Sequence, residues 1–172
     1  MTLGLRSGEV RLLEAHAEWA SMFEHERRAI AEAVGDALTI QIEHVGSTAI
    51  PGVPAKPILD IAIGVRDYEA ARVSVAPMER LGYEYRGEHG IAERLYFVKG
   101  DPRTHHVHMV ERDSEKWTSM VGFRDALRAN PRLAREYAQQ KAILAAQFAA
   151  NREAYQAAKD LIVERLLRAV SR

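Results

Sequence analysis

The stretch "EHVGSTAIPGVPAKPILDIAIGV", residues 43–65, constrains this chain more than any other. It holds three glycines and three prolines, and all but Gly64 precede an apolar run that a single carboxylate, Asp60, interrupts. "KPILDIAIGV" is rich in β-branched residues and reads as a strand. Strand alternation puts Leu59, Ile61, Ile63 and Val65 on one face, and Ile58, Asp60, Ala62 and Gly64 on the other. The first face is wholly apolar and must be core. The second is small around Asp60 and leaves room above it for a ligand. A lone buried carboxylate costs several kcal/mol, so Asp60 must meet a cation, a metal or solvent. A structural ion pair, to Lys56 or to an arginine of a neighbouring strand, would satisfy it equally well.

Just upstream, Gly46-Ser47-Thr48 follows the alternating run "LTIQIEHV", in which Ile40 and Ile42 share one face and Gln41 and Glu43 the other. A glycine directly after a strand brings backbone N–H groups close to an anion, and two hydroxyls add donors for phosphate. An ordinary strand-ending turn with a serine cap has the same sequence. His105, His106 and His108 form the next cluster. On a strand, His106 and His108 share a face, where they can chelate a metal, hold phosphate or move a proton. A solvent-facing pair over buried Val107 and Met109 is the plain alternative. His44 would join this cluster if its strand ran beside Asp60.

The rest of the chain frames these motifs. "VRLL", residues 10–13, has strand character, and Trp19, Phe23, Ile30 and Val34 recur at helical spacing until Gly35 and Asp36. Residues 67–81 carry a second helical stripe (Tyr68, Ala71, Val75, Met78, Leu81), with a kink expected at Pro77. "YEYRG", "RLYFVKG" and "HHVHMVER" read as further strands. Helices follow: one capped by Ser114, one from Asn130-Pro131 to about Phe148, and a last over 152–170. The expected architecture is α+β. A mixed sheet with flanking helices occupies residues 1–113, and C-terminal helices, residues 114–172, pack on it. In those helices Arg124 and Arg128, Tyr137 and Lys141, and Tyr155 and Lys159 are each spaced i, i+4. A lysine or arginine among them that points at the sheet could clamp a polyphosphate.

Charge and composition narrow the partners. With 24 basic and 24 acidic residues the formal net charge is zero, so no nucleic-acid partner is expected. The chain has no cysteine, which removes disulfides and thiolate metal sites and suits a reducing cytoplasm. No segment reads as a signal peptide or a membrane span.

Taken together, "EWASMFEHE", "IEHVGSTAIPGVPAKPILDI", "THHVHMV", "FRDALRANPRLAREYAQQK" and "YQAAKDLIVERLL" resemble the blocks of the GrpB family, the UPF0157 group, in the same order. That family in turn resembles the nucleotidyltransferase fold of the polymerase-beta superfamily. The resemblance implies that Gly46 and Ser47 bind nucleotide phosphates and that Asp60 is the first of two strand carboxylates holding Mg²⁺. The second position, two residues on, is Ala62, so Glu43, His44, Glu93 or the His106/His108 pair would have to complete the metal site. Histidine ligands favour Zn²⁺ or Mn²⁺ over Mg²⁺. The implied activity is transfer from a nucleoside triphosphate to a small-molecule acceptor. Asp60, His106 and His108 are the candidate catalytic and metal-binding residues. Gly46, Ser47, Thr48, Lys56, Arg94 and Arg124 are the candidate phosphate contacts. The alternatives are a nucleotide- or phosphate-binding regulatory module that has lost catalysis, and a metal-dependent hydrolase built on the histidines.

Overall fold

A computed structural model describes residues 2–6, 8–35 and 38–170. Helix α1 (Glu18–Val34) precedes strand β1 (Thr39–Val45), a short 3₁₀ turn (Ser47–Ala49) and strand β2 (Leu59–Val65). A 3₁₀ segment (Ala70–Ser74) runs into helix α2 (Val75–Arg80), followed by β3 (Tyr83–Tyr85), β4 (Leu95–Lys99) and β5 (His105–Glu111). Helices α3 (Glu115–Ala129), α4 (Pro131–Gln147) and α5 (Arg152–Val170) follow. The strands form one sheet in the order β1-β2-β5-β4-β3, and only the central β2–β5 pair is parallel. This is the α+β architecture expected from the sequence.

Alternation gives the sheet two different faces. Leu59, Ile61 and Ile63 of β2 and Val107 and Met109 of β5 point to one side, where Trp19, Phe23 and Ile30 of α1 and Met78 of α2 cover them. Each such aliphatic side chain contributes about 1.5–3 kcal/mol on burial. On the other side Ala62, Val45 and Val110 are small enough to admit Trp117 of α3. Further along, Ile50 and Val53 of the proline-rich connection pack with Phe123 and Leu127 of α3, Tyr137 of α4 and Leu166 of α5. The helical third is thus anchored to the connection that precedes Asp60. Among the described residues no helix is long and apolar enough to cross a membrane.

Local expectations met three different outcomes. The cap residues hold: Ser114 and Asn130 accept from the backbone N–H of Trp117 and Leu133, and Pro131 opens α4 where its missing N–H is not needed. The break in the 67–81 helix falls at Ser74, where the 3₁₀ segment gives way to α2. Pro77 sits in the first turn of α2, where a proline is tolerated, and is not the cause. Ile40 does not share the core face with Ile42. An irregularity between Thr39 and Gln41 shifts the register, leaving Ile40 47% exposed while Ile42 packs on the core. "VRLL" forms only an isolated bridge, from Leu13 to Ala55. Gly35 closes α1 by donating to the Ala31 carbonyl, and Asp36 lies outside the described residues.

Candidate functional site

The β2–β5 register pairs Asp60 with His106 and Ala62 with His108, so all four face the same side of the sheet. His106 Nδ1 lies 3.0 Å from Asp60 Oδ1, and His108 Nε2 lies 4.0 Å from the same oxygen. Their partners fix the protons. A carboxylate only accepts, so His106 donates from Nδ1, which leaves Nε2 as the nitrogen of the neutral ring that can take a proton. Arg94 Nη1 lies 3.1 Å from His108 Nδ1. Guanidinium cannot accept, so His108 carries its hydrogen on Nε2, facing Asp60. Burial holds the His108 pKa down at about 3, against the pull of Asp60 and with the help of Arg94. Burial of Asp60 favours its neutral form, but the His106 N–H bond, the two imidazoles and Lys159 outweigh it and hold the carboxyl well below the usual range.

Gly46 brings the turn hard against this pair. Val45 is the register partner of Asp60, and the chain then reverses at Gly46 with φ of 68°. A Cβ there would stand 2.5 Å from Asp60 Oδ2, so both the backbone angle and the contact require glycine. The two hydroxyls beyond it are already engaged: Ser47 Oγ meets Tyr137 Oη at 3.2 Å, and Thr48 Oγ1 meets His44 Nε2 at 2.9 Å.

These parts share one cavity of about 1140 Å³, bounded by the sheet and by α3, α4 and α5. Gly46, Ser47, Thr48, Lys56, Asp60 and Arg94 all line it, as do His106 and His108. Lys56 is pushed down to about 8 by burial, with Lys159 and Arg152 adding repulsion. Arg94 stays over the Tyr96 ring at 4.5 Å and donates to the carbonyls of Glu88 and His89.

Four expected participants stand elsewhere. His44 is the register partner of Ile61, so it faces the core and stacks on Phe23 at 4.8 Å. Glu43 points toward α3 and is taken up by Arg124, which also binds Asp125 and the His44 carbonyl. Arg124 therefore locks α3 to β1, and it does not line the cavity. Glu93 is exposed and pairs with Lys116. In their place come Lys141, Arg152 and Lys159, with Tyr155 beside them. Both lysines belong to the Tyr-x-x-x-Lys pairs that the sequence displays on α4 and α5.

A divalent metal does not fit the donors as they stand. Asp60 Oδ1 is bound by His106 and His108 Nδ1 by Arg94, which leaves one carboxylate oxygen and one imidazole nitrogen. Among the described residues no group of three or more His, Cys, Asp or Glu side chains is placed to hold a metal ion.

A family model described as "GrpB protein" matches residues 9–169. The chain belongs to the GrpB family. It is 44% identical over 140 residues to the UPF0157 protein YqkA of Bacillus subtilis, a match over 81% of this chain and 40% of that one. It is 41% identical to the UPF0157 protein PA4798 of Pseudomonas aeruginosa, over 92% of this chain and 66% of the relative. The chain therefore spans less than two thirds of either GrpB-family relative. The crystal structure of the conserved protein GrpB from Enterococcus faecalis superimposes with a TM-score of 0.84 at 32% identity, covering 94% of this chain and 100% of that one.

Proposed function

We propose that the cleft of this GrpB-family protein binds a nucleoside triphosphate and transfers its nucleotidyl group to a small-molecule acceptor. One observation supports the reading above others: the Asp60–His106 pair, the Gly46–Ser47 turn and the side chains of Lys56, Arg152 and Lys159 share a single cavity. In the step, the acceptor hydroxyl oxygen bonds to the α-phosphorus and its proton passes to His106 Nε2. Pyrophosphate leaves with the electron pair of the broken P–O bond. Asp60, ionised throughout, stabilises the imidazolium that forms, and positioned bases of this kind contribute about 10²–10⁴-fold. Lysines neutralise the phosphates in place of the second carboxylate's metal. A cytoplasmic location, where triphosphates are abundant, suits this reading.

A second reading, binding without turnover, rests on Ala62 and on the capture of Glu43 by Arg124, which together empty the position of a second carboxylate. Thermal shift against the four nucleoside triphosphates, with and without Mg²⁺, Mn²⁺ or Zn²⁺, separates the cases. Pyrophosphate release across an acceptor panel, lowered at least 100-fold by His106→Gln or Asp60→Asn, supports transfer. A raised melting temperature with no release from any acceptor supports the binding module. No shift with any nucleotide overturns both.

A further inference from the structure

The cavity wall is lined by eight lysines and arginines against five acids, and the acids do not reach all of the lysines. Lys141 is 2% exposed, and its ammonium has the Pro54 carbonyl at 2.6 Å and the Tyr137 ring at 5.1 Å. Lys56 Nζ lies 5.1 Å over the Tyr155 ring. Among the described residues neither lysine forms an ion pair, and Lys159 reaches only Asp160, at 3.9 Å. Lys159 and Arg152 repel Lys56, while Asp60 and Asp160 are the acids that act on it. Asp60 is already bound by His106. The same wall carries a second unmet demand: Tyr155 is fully buried, and its hydroxyl has no hydrogen-bond partner among the described residues. Buried donors and buried like charges are each destabilising unless an acceptor or anion meets them. One anionic, acceptor-rich group would satisfy both.

We infer that Lys56, Arg152 and Lys159, with the Tyr155 hydroxyl, form a polyphosphate subsite, so that the ligand is a triphosphate and not a monophosphate. The inference deepens the transfer reading and rests on it for the nucleoside part alone. The Asp60–His106 pair takes the reacting end of the ligand, and the α5 wall takes the phosphates that leave. Lys141 lies behind this wall, bonded to the Pro54 carbonyl and closed off from the ligand.

Calorimetric titration with inorganic tripolyphosphate tests the subsite directly. Wild type is expected to bind one equivalent, and His106→Gln to bind within threefold of wild type. The double variant Lys56→Met/Lys159→Met is expected to bind at least 30-fold more weakly. Arg168→Met, which removes an exposed cation of the same helix, serves as the charge control and should match wild type. Without ligand, the double variant is expected to melt at or above the wild-type temperature, which separates lost binding from lost folding. Tripolyphosphate bound equally by wild type and a folded double variant overturns the subsite. Nucleotides turned over normally by that variant also overturn it, while leaving the transfer reading standing. Tripolyphosphate captured by the lysines with no nucleoside triphosphate bound does the reverse.

Discussion

Arg124 and Lys141 are buried cations on successive helices, and they are held in opposite ways. Arg124 has a full set of acceptors: Glu43, Asp125 at 2.8 Å and the His44 carbonyl at 2.9 Å. Burial works against its charge, yet the bonds to Asp125 and Glu43 outweigh it and hold the guanidinium above its ordinary pKa. Lys141 has one carbonyl, and burial together with Lys159 and Lys56 drives its pKa well below the ordinary value. A saturated cation is part of the scaffold. An unsaturated one, buried beside others of its kind, is a charge the fold carries without a carboxylate partner. The contrast separates the residue that fastens α3 to the sheet from one whose charge no acid meets.

The largest expected effect tests the saturated side. Arg124→Ala strips Glu43 of its cation, and breaking a buried pair costs about 3–5 kcal/mol. Because Glu43 retains some solvent access, a loss near 3 kcal/mol is expected in urea unfolding. A loss under 1 kcal/mol would erase the distinction. Lys141→Met is expected to move the other way. Removing an unpaired buried charge is stabilising, and the Pro54 carbonyl left without its donor takes back part of the gain, for a net rise of about 1 kcal/mol. The same measurement reading a loss of 2 kcal/mol would place Lys141 with Arg124.

The smallest effect is the most diagnostic in sign. Lys56→Met should raise the melting temperature modestly at pH 7 and lose that advantage as the pH rises. The folded pKa of Lys56 is about 8, below the ordinary lysine value of about 10.4. Between those values the unfolded chain binds more protons than the folded one, so wild-type stability climbs with pH across that window. Below pH 8 both states are charged and the full penalty stands. A melting-temperature difference that stays flat from pH 7 to 10 would refute the account.

Much of the site was legible in advance, and the limits are physical. Strand parity alone put Asp60 opposite the Leu59–Ile61–Ile63 face and put His106 beside His108. Parity within one strand says nothing about which strand lies next to it, so the pairing of Asp60 with His106 emerged only from the β2–β5 register. The same blindness misassigned His44, whose face is decided by its pairing with Ile61. Arg124, Lys141 and Lys159 all occupy i, i+4 positions on amphipathic helices. Sequence spacing cannot tell which of them meets a carboxylate and which meets an opening. Ile40 failed for a similar reason, because a local register shift leaves no trace in an alternating pattern.

The place of β5 in the sheet has a consequence for how this protein comes into being. With β1-β2 on one side and β4-β3 on the other, β5 is the seam through which two separate antiparallel pairs become one sheet. Among the described strands it is also the last in chain order. A nascent chain that has not reached His105 lacks the strand that joins the two pairs, and with it the neighbour of Asp60 on β2. Closing the seam joins residues far apart in the chain, the kind of contact that makes folding slow. The Asp60–His106 pair is therefore formed by the same event that completes the sheet, and a chain that stops short of β5 carries Asp60 without its partner.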